Sequence, residues 1–451
     1  MKIHFISKMK WIFLCPYCNC SEKYKRHLFV VLLKPIQSYL HFLFTSMIIT
    51  RAFSLYKKAY GGLSSGTWWL SLVMLVNRMG TMVVPFMTMY LTQQFGVSIG
   101  KAGFVMSIFG LGAITGALIG GKLVDSIGYY YVQLTALLGG GVMFIVLGQM
   151  HSYNSICVTT FFLAMLNESF RPANTVAIAH YSKEENRTRS YSLNRLSINI
   201  GWAVGGALGG LLASFNYHLL FWVDGFSNMA AAILLYITLS PTRNSSTEKI
   251  SKEKNIIVDS AYKDRTYVAF ILLTFIFAFC FFQMFTTIPV FFKEKFHLSV
   301  FFIGIIMALN GIIIAVFEMI TIFTLEGKRP SLHFISSGML LVSVSFLLLN
   351  LGHLNNATIA LIAMVFLTFG EIFSMPFMNA WWIGRAQKNN RGQYAALFTV
   401  AWASAQAVGP FAGSLIAEYF SFRILWYLMA VICILLAFFY RRLHKPVALS
   451  V

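Results

Sequence analysis

The chain has 451 residues, 58% apolar and only 11% charged, whereas soluble globular proteins carry about 25% charge. Such a composition excludes a soluble protein with a single core, which could not hide that much apolar surface. The formal charge of +20 sits mostly in short loops between apolar runs, as the positive-inside rule expects of a membrane protein, and argues against a nucleic-acid partner.

Residues 1–60 read as an N-terminal extension. They hold a basic start, a CPYCNC cluster with Cys15, Cys18 and Cys20, and an apolar run from Leu28 to Ile49 interrupted by Lys34, Pro35, Gln37 and His41. The run is open to two readings, a poor additional span or an interfacial helix. A third places the true start at Met47, whose basic, glycine-ended lead-in suits the approach to a first span. A metal site at the cysteines would need a fourth ligand and a defined fold, and no metal is expected.

From Trp68 to Tyr440, runs of about 20 apolar residues follow one another, each long enough to cross a hydrocarbon core of roughly 30 Å. The first six spans are predicted near 68–91, 100–122, 130–149, 155–178, 191–213 and 218–239. A polar linker, 241–265, carries SSTEKISKEKN. The second six are predicted near 267–290, 299–323, 331–350, 357–382, 393–416 and 421–440, with a tail at 443–451. The expected fold is therefore an all-α membrane protein of twelve transmembrane helices in two six-helix bundles, 61–240 and 266–442. Both core termini then share a side with the linker. That side carries Lys122, Lys183, Arg187, Arg189, Lys328, Arg329, Arg385, Arg441 and Arg442 as well as the linker lysines, against Lys101, Lys293, Lys295 and Arg423 opposite, so it is assigned to the cytoplasm.

The two halves repeat one plan. Glu168 and Glu371 are 203 residues apart, as are Tyr191 and Tyr394, Gly206 and Gly409, and Gly210 and Gly413. One offset across these positions predicts a duplicated, pseudo-symmetric bundle.

Several charges fall at membrane depth: Arg78 in span one, Glu168 and Glu371 near the middles of spans four and ten, Arg195 one turn into span five, and Glu318 in span eight. Arg, Lys or Asp at the centre of a lipid-facing helix costs roughly 2.5–3.5 kcal/mol, so such residues are expected to face a cavity or a partner. Burial disfavours a charged carboxylate, and a close arginine opposes that effect. Glu168 is thus open to three readings: a proton carrier, half of a static ion pair with Arg78 joined to Glu168 or Glu371, or a contact for substrate only. Phe104, Phe109, Trp202, Phe281, Phe282, Phe285, Phe373 and Trp402 are candidates for a greasy lining.

Gly121, Lys122, Asp125 and Gly128 fall where a tight loop between spans two and three is expected, and there they form a candidate gating latch. Gly201, Gly205, Gly206, Gly209 and Gly210 in span five, with Gly409, Pro410 and Gly413 in span eleven, would give smooth faces for close helix packing. Pro172 and Pro376 follow the two glutamates and mark possible bends. No Walker-type phosphate loop occurs, the histidines do not converge in sequence, and no nucleophile or metal set is visible. An enzyme is not expected, and neither is a cofactor.

Twelve spans in two sixes, a linker and GKLVDSIG after span two resemble the major facilitator superfamily, whose GxLxDxxG loop is matched at Gly121, Leu123, Asp125 and Gly128. The basic pair usual after that loop is replaced by Tyr129 and Tyr130. GWAVGGALGG in span five resembles the family's antiporter motif, with Gly206 in place of its proline and Gly409-Pro410 restoring that pair in the other half. The resemblance implies alternating access around a central site. It further implies proton-coupled efflux of a small lipophilic or drug-like compound, with protons as the coupling ion and Glu168 and Glu371 as the carriers; Arg78 and Arg195, read from their depth in the spans, complete the set of proton-coupling or central-cavity candidates. The rival readings are a proton-coupled importer of a sugar, peptide or other nutrient, and a non-transporting scaffold or receptor. A monomer in a bacterial cytoplasmic (inner) membrane, with a small-molecule substrate and the lipid bilayer as partners, completes the expectation.

Overall fold

Ser64 starts the first helix, its Oγ accepting from the Thr67 backbone N–H at 3.1 Å and satisfying one of the donors that a helix N-terminus leaves unpaired. The computed structural model describes residues 61–183, 186–241, 260–325, 327–351, 355–386 and 390–443, and from Gly62 onward these belong to a single unit. The expected extension 1–60 with its cysteine cluster, most of the linker and the tail beyond 443 lie outside the described residues.

Every regular element among the described residues is helical. The first half contains α1 (Ser65–Met79), α2 (Val83–Gln94), α3 (Ile99–Ile127), α4 (Tyr129–Gly148), α5 (Tyr153–Tyr181), α6 (Arg187–Phe215) and α7 (His218–Thr238). The second contains α8 (Arg265–Phe282), α9 (Thr287–Glu294), α10 (Val300–Leu325), α11 (Ser331–Leu348), α12 (Asn356–Arg385), α13 (Arg391–Tyr419) and α14 (Phe422–Arg442). The helix pairs α1–α2 and α8–α9 are each one span broken near its middle, which brings the order to six spans on each side of the linker. Among the described residues, eleven spans are long and apolar enough to cross a membrane. The other, α5, has the length at 29 residues, but Asn167, Glu168, Ser169, Arg171 and Asn174 lower its apolar character.

Hydroxyl groups stitch the apolar packing: Ser336 donates to Ala437 O at 2.7 Å, Ser343 to Ala430 O at 2.9 Å and Ser345 to Ala363 O at 2.7 Å. Small donors of this kind let helices approach closely where the hydrophobic effect gives them no reason to associate. The halves meet along two seams, α6 on α10 and α13 on α3. In the first, a Cβ on Gly210 would lie 2.6 Å from the Gly304 Cα; in the second, a Cβ on Gly110 would lie 2.6 Å from the Ala407 Cα. Both contacts fall in the part of the bundle remote from the linker.

The span-five glycines serve two faces. Gly201, Gly205 and Gly209 back onto Arg78, Met79, Met82 and Phe86 of the first span, whereas Gly206 and Gly210 face Ala308 and Gly304 across the seam. In α13, Gly409 and Gly413 back onto Phe279 and Gln283 within their own half. The packing role of Gly409 therefore matches that of Gly205, an offset of 204, which is also the offset between Pro172 and Pro376. A one-residue slip on a helix turns a side chain by about 100°. The offset of 203 therefore aligns residue types without aligning faces.

The broken first span is held by a carboxylate from α7. Asp224 is fully buried and accepts from the backbone N–H of Met82 at 2.9 Å and of Val83 at 2.7 Å, the unpaired donors where α2 begins. The break in the seventh span uses a neutral amide: Gln283 Nε2 donates to Gly409 O at 2.9 Å and its Oε1 accepts from Thr287 Oγ1 at 2.8 Å. Leaving a buried donor unsatisfied costs about 1–3 kcal/mol. Asp224→Leu is expected to lower the thermal unfolding midpoint of the detergent-solubilised protein clearly more than Asp224→Asn, which keeps an acceptor; equal losses would contradict the capping role.

At the linker end of the second half, Asp264 caps α8 through Tyr267 N–H at 3.1 Å and accepts from Arg385 Nη2 at 2.9 Å and Tyr394 Oη at 2.8 Å. Burial alone would push the Asp264 carboxyl up, but these hydrogen bonds outweigh it and hold the group below the usual carboxylate range. Its contribution to stability is therefore complete above the ordinary aspartate value of about 3.9 and disappears as pH falls through the lowered folded value. Thermal unfolding from pH 7 to 3 should show wild type more stable than Asp264→Asn at the upper end, with the gap closing toward the lower end.

Candidate functional site

Between the halves lies a cavity of about 660 Å³. On the side away from the linker it is closed by the two glycine seams. Toward the linker its walls include Ile178 and Tyr191 of the first half and Asn379 and Phe398 of the second. This geometry follows from how the seams end. The α3–α13 contact is tight at Gly110 and Ala407, after which Ile114 and Ala117 on one helix and Ala403 and Thr399 on the other line the opening. The α6–α10 contact continues further, through Gly311 against Ala203, to an ion pair between Arg195 and Glu318 at 2.9 Å.

Arg78, Glu168, Arg195 and Glu371 all line this one cavity. Their pairing differs from the sequence expectation. Glu168 is bound by Arg171, one turn along its own helix, at 2.9 Å; neither glutamate is paired with Arg78. The (i, i+3) spacing of Glu168 and Arg171 is legible in the sequence, and on a helix it places both groups on one face. Arg78 carries a buried Nε with no hydrogen-bond partner, and it makes no ion pair among the described residues. Glu168 and Arg171 are the charged groups that act on it. The α1 backbone at this point is pressed against α6, where a Cβ on Gly201 would lie 2.5 Å from the Arg78 Cβ.

Glu371 also has no ion pair among the described residues. Its Oε2 accepts from Asn310 Nδ2 at 3.3 Å, and the same amide donates to Thr368 Oγ1 at 3.0 Å. Glu318 and Arg195 are the charged groups that act on Glu371. Arg195 thus ties the halves together through Glu318 while facing a second carboxylate that it does not bind. Asn310 is the site residue that the sequence reading missed: one amide in an apolar helix carries no pattern, and only its place beside Glu371 gives it a role.

The apolar part of the wall is aromatic. Phe109, Trp202, Phe281, Phe282, Phe285 and Trp402 line the cavity, with Trp202 and Phe285 ring centroids 5.4 Å apart and Phe281 and Trp402 5.7 Å apart. Phe104 instead packs on Phe411 at the seam, centroids 5.5 Å apart, and Phe373 packs within the second half. The Trp402 Nε1–H is buried without an acceptor.

The expected gating loop is not a loop. Residues 121–127 continue α3 to its end, because nothing in GKLVDSI breaks a helix, and Gly128 alone turns the chain into α4 with φ +89°. Lys122 and Asp125 are exposed on the last turns of α3, and no ion pair involves either among the described residues. In place of a latch at that position, the ion pair between the halves among the described residues is Arg195–Glu318, at the linker end of the α6–α10 seam.

Comparison with known proteins agrees with this architecture. The MFS-type transporter YttB of Bacillus subtilis (strain 168) is 24% identical over 363 residues, 78% of this chain and 88% of that protein. A Na(+), Li(+), K(+)/H(+) antiporter of Planococcus maritimus is 23% identical, covering 74% and 85% respectively. The quinolone resistance protein NorA of Staphylococcus aureus (strain Mu50 / ATCC 700699) is 21% identical over 53% of this chain and 61% of that one. Among solved structures, a POT family transporter in complex with 5-aminolevulinic acid superposes with a TM-score of 0.72 at 14% identity, over 86% of this chain and 98% of that one, a likeness of fold. The family model described as Major Facilitator Superfamily matches residues 70–410. That match runs from the first span into the eleventh and takes in most of both halves: the chain belongs to the major facilitator superfamily, and it is a multi-pass membrane transporter.

Proposed function

We propose that this transporter couples an inward flow of protons to export of a small lipophilic or drug-like compound. The observation that carries the reading is Glu371, a carboxylate facing the cavity with one amide hydrogen bond and no ion pair among the described residues. A carboxylate already bound to an arginine, as Glu168 is to Arg171, gains little from taking up a proton; one held only by an amide can exchange its charge with whatever enters. Glu371 is therefore the principal proton carrier and Glu168 the secondary one. The aromatic wall supports an apolar cargo. The antiporter and quinolone-resistance relatives support exchange and export.

In the proposed cycle the cavity opens toward the linker, and the basic loops support assigning that side to the cytoplasm of a bacterial inner membrane. The compound enters and the halves rock about the cavity, parting the glycine seams on the far side. Protonation of Glu371 there neutralises the group, releases the compound and permits return. The membrane potential adds about 2.3 kcal/mol per charge moved for each 100 mV. No cofactor takes part, and a monomer suffices because both halves belong to one chain.

The test is proton movement in proteoliposomes of known orientation, read by dye quenching while lipophilic compounds and nutrients are added. Proton movement opposite to a compound is the expected result, reduced by Glu371→Gln to the level of empty liposomes and weakened by Glu168→Gln. Movement in the same direction would make the protein an importer. Undiminished flux in the doubly substituted protein would remove both glutamates from the coupling role.

A further inference from the structure

Among the described residues, six Arg and Glu side chains face the cavity or the linker end of the α6–α10 seam: three arginines, at 78, 171 and 195, and three glutamates, at 168, 318 and 371. Two pairs cancel, Arg171 with Glu168 and Arg195 with Glu318. The two groups left over have opposite signs and stand on opposite halves. Arg78, on α1, acts within the field of Glu168 and Arg171; Glu371, on α12, acts within the field of Glu318 and Arg195. Each lies in its own electrostatic neighbourhood, and both open on the same space with aromatic walls. An unpaired guanidinium and an unpaired carboxylate are costly in a low-dielectric site, and each becomes favourable once it meets a counter-charge.

We infer that the cargo is zwitterionic: an anionic group of the carboxylate class seats on Arg78, an ammonium group seats on Glu371, and an apolar body between them lies along Trp202, Phe285 and Trp402. The guanidinium suits a carboxylate because its planar fork can give two parallel hydrogen bonds. The cavity volume of about 660 Å³ falls in the range of pockets that enclose a small organic molecule. A purely cationic compound would leave Arg78 unmatched, and a purely anionic one would leave Glu371 unmatched. The assignment rests on the central cavity being the transport site. It also supplies a reason for exchange, since the ammonium and the coupling proton compete for Glu371.

The probes are 4-(ω-aminoalkyl)benzoates with two to six methylenes, compared at each length with the matching 4-alkylbenzoate and phenylalkylamine. Their affinities for the full chain in lipid nanodiscs are read from tryptophan fluorescence, without a proton gradient. At one or more lengths the zwitterion is expected to bind at least about tenfold more tightly than either compound carrying a single charge, the worth of one added charge-assisted hydrogen bond. Arg78→Gln should weaken compounds that carry the carboxylate, and Glu371→Gln those that carry the amine. A protein that had merely misfolded would lose all three classes together, so the selectivity of the loss separates the two cases. If the singly charged compounds bind as tightly as the zwitterion at every length, the inference is overturned. Because binding is read without transport, a zwitterion preference in a protein that moves no protons would leave this assignment standing and remove only the coupling reading.

Discussion

A charge inside a lipid bilayer has to find a partner or water, and the arrangement of this molecule follows from that constraint. Apart from Asp224, which caps the break in the first span, the charged side chains deep in the spans gather in one place. Arg78, Glu168, Arg171, Arg195 and Glu371 come from α1, α5, α6 and α12, and all of them turn to one cavity between the halves. Glycine makes this possible. At the seams the two halves approach to backbone contact, so the far side closes without side chains having to fill it. Such contacts are dry and short-ranged. They hold the halves together without locking them, since parting them strands no hydrogen bond at Gly210 or Gly110.

The breaks in the first and seventh spans are held by different chemistry. A span that interrupts its hydrogen-bond ladder at membrane depth must satisfy the freed donors from elsewhere in the protein. Asp224 does so from a neighbouring helix with its carboxyl group, whereas at the seventh-span break the neutral amide of Gln283 ties the chain to Gly409 O of α13 and accepts from the Thr287 hydroxyl. The linker ends show a comparable asymmetry. Asp264, Arg385 and Tyr394 form a charged staple in the second half, whereas in the first Ser64 donates to Tyr181 O and Asn186 to Gly62 O. The breaks and staples occupy corresponding places in the two halves, and the residues that fill them differ within the limits of hydrogen bonding.

The sequence was informative wherever one physical effect dominates. Span positions follow from hydropathy alone, and the predicted 100–122 and 393–416 fall within α3, Ile99–Ile127, and α13, Arg391–Tyr419. The convergence of Arg78, Glu168, Arg195 and Glu371 follows from the expense of burying charge. What the sequence did not reveal were pairings and faces. Glu168 binds Arg171 rather than Arg78 because the nearer group is on its own helix, while Arg78 points from a different one. The offset of 203 aligned Gly206 with Gly409 although they face different neighbours, because residue identity says nothing about helical phase. GKLVDSIG was read as a loop from its glycines and charges, yet polar residues at the end of a long helix look the same once the helix leaves the membrane.

The two glutamates at the head of the repeat end in unequal positions, and the inequality has a functional consequence. A transporter that exchanges one charged species for another needs a site whose charge can be satisfied in two ways, and a permanent ion pair is satisfied already. Glu168 is taken by Arg171, and Glu318 by Arg195, which spends that arginine on joining the halves. Glu371 is left with Asn310, a donor that can hold a carboxylate or accept a hydrogen bond from its protonated form by turning its amide. The single neutral partner thus sets Glu371 apart from the other carboxylates of the cavity. It leaves the group free to meet a proton or an ammonium by turns, and it does so next to the ion pair that holds the two halves in contact.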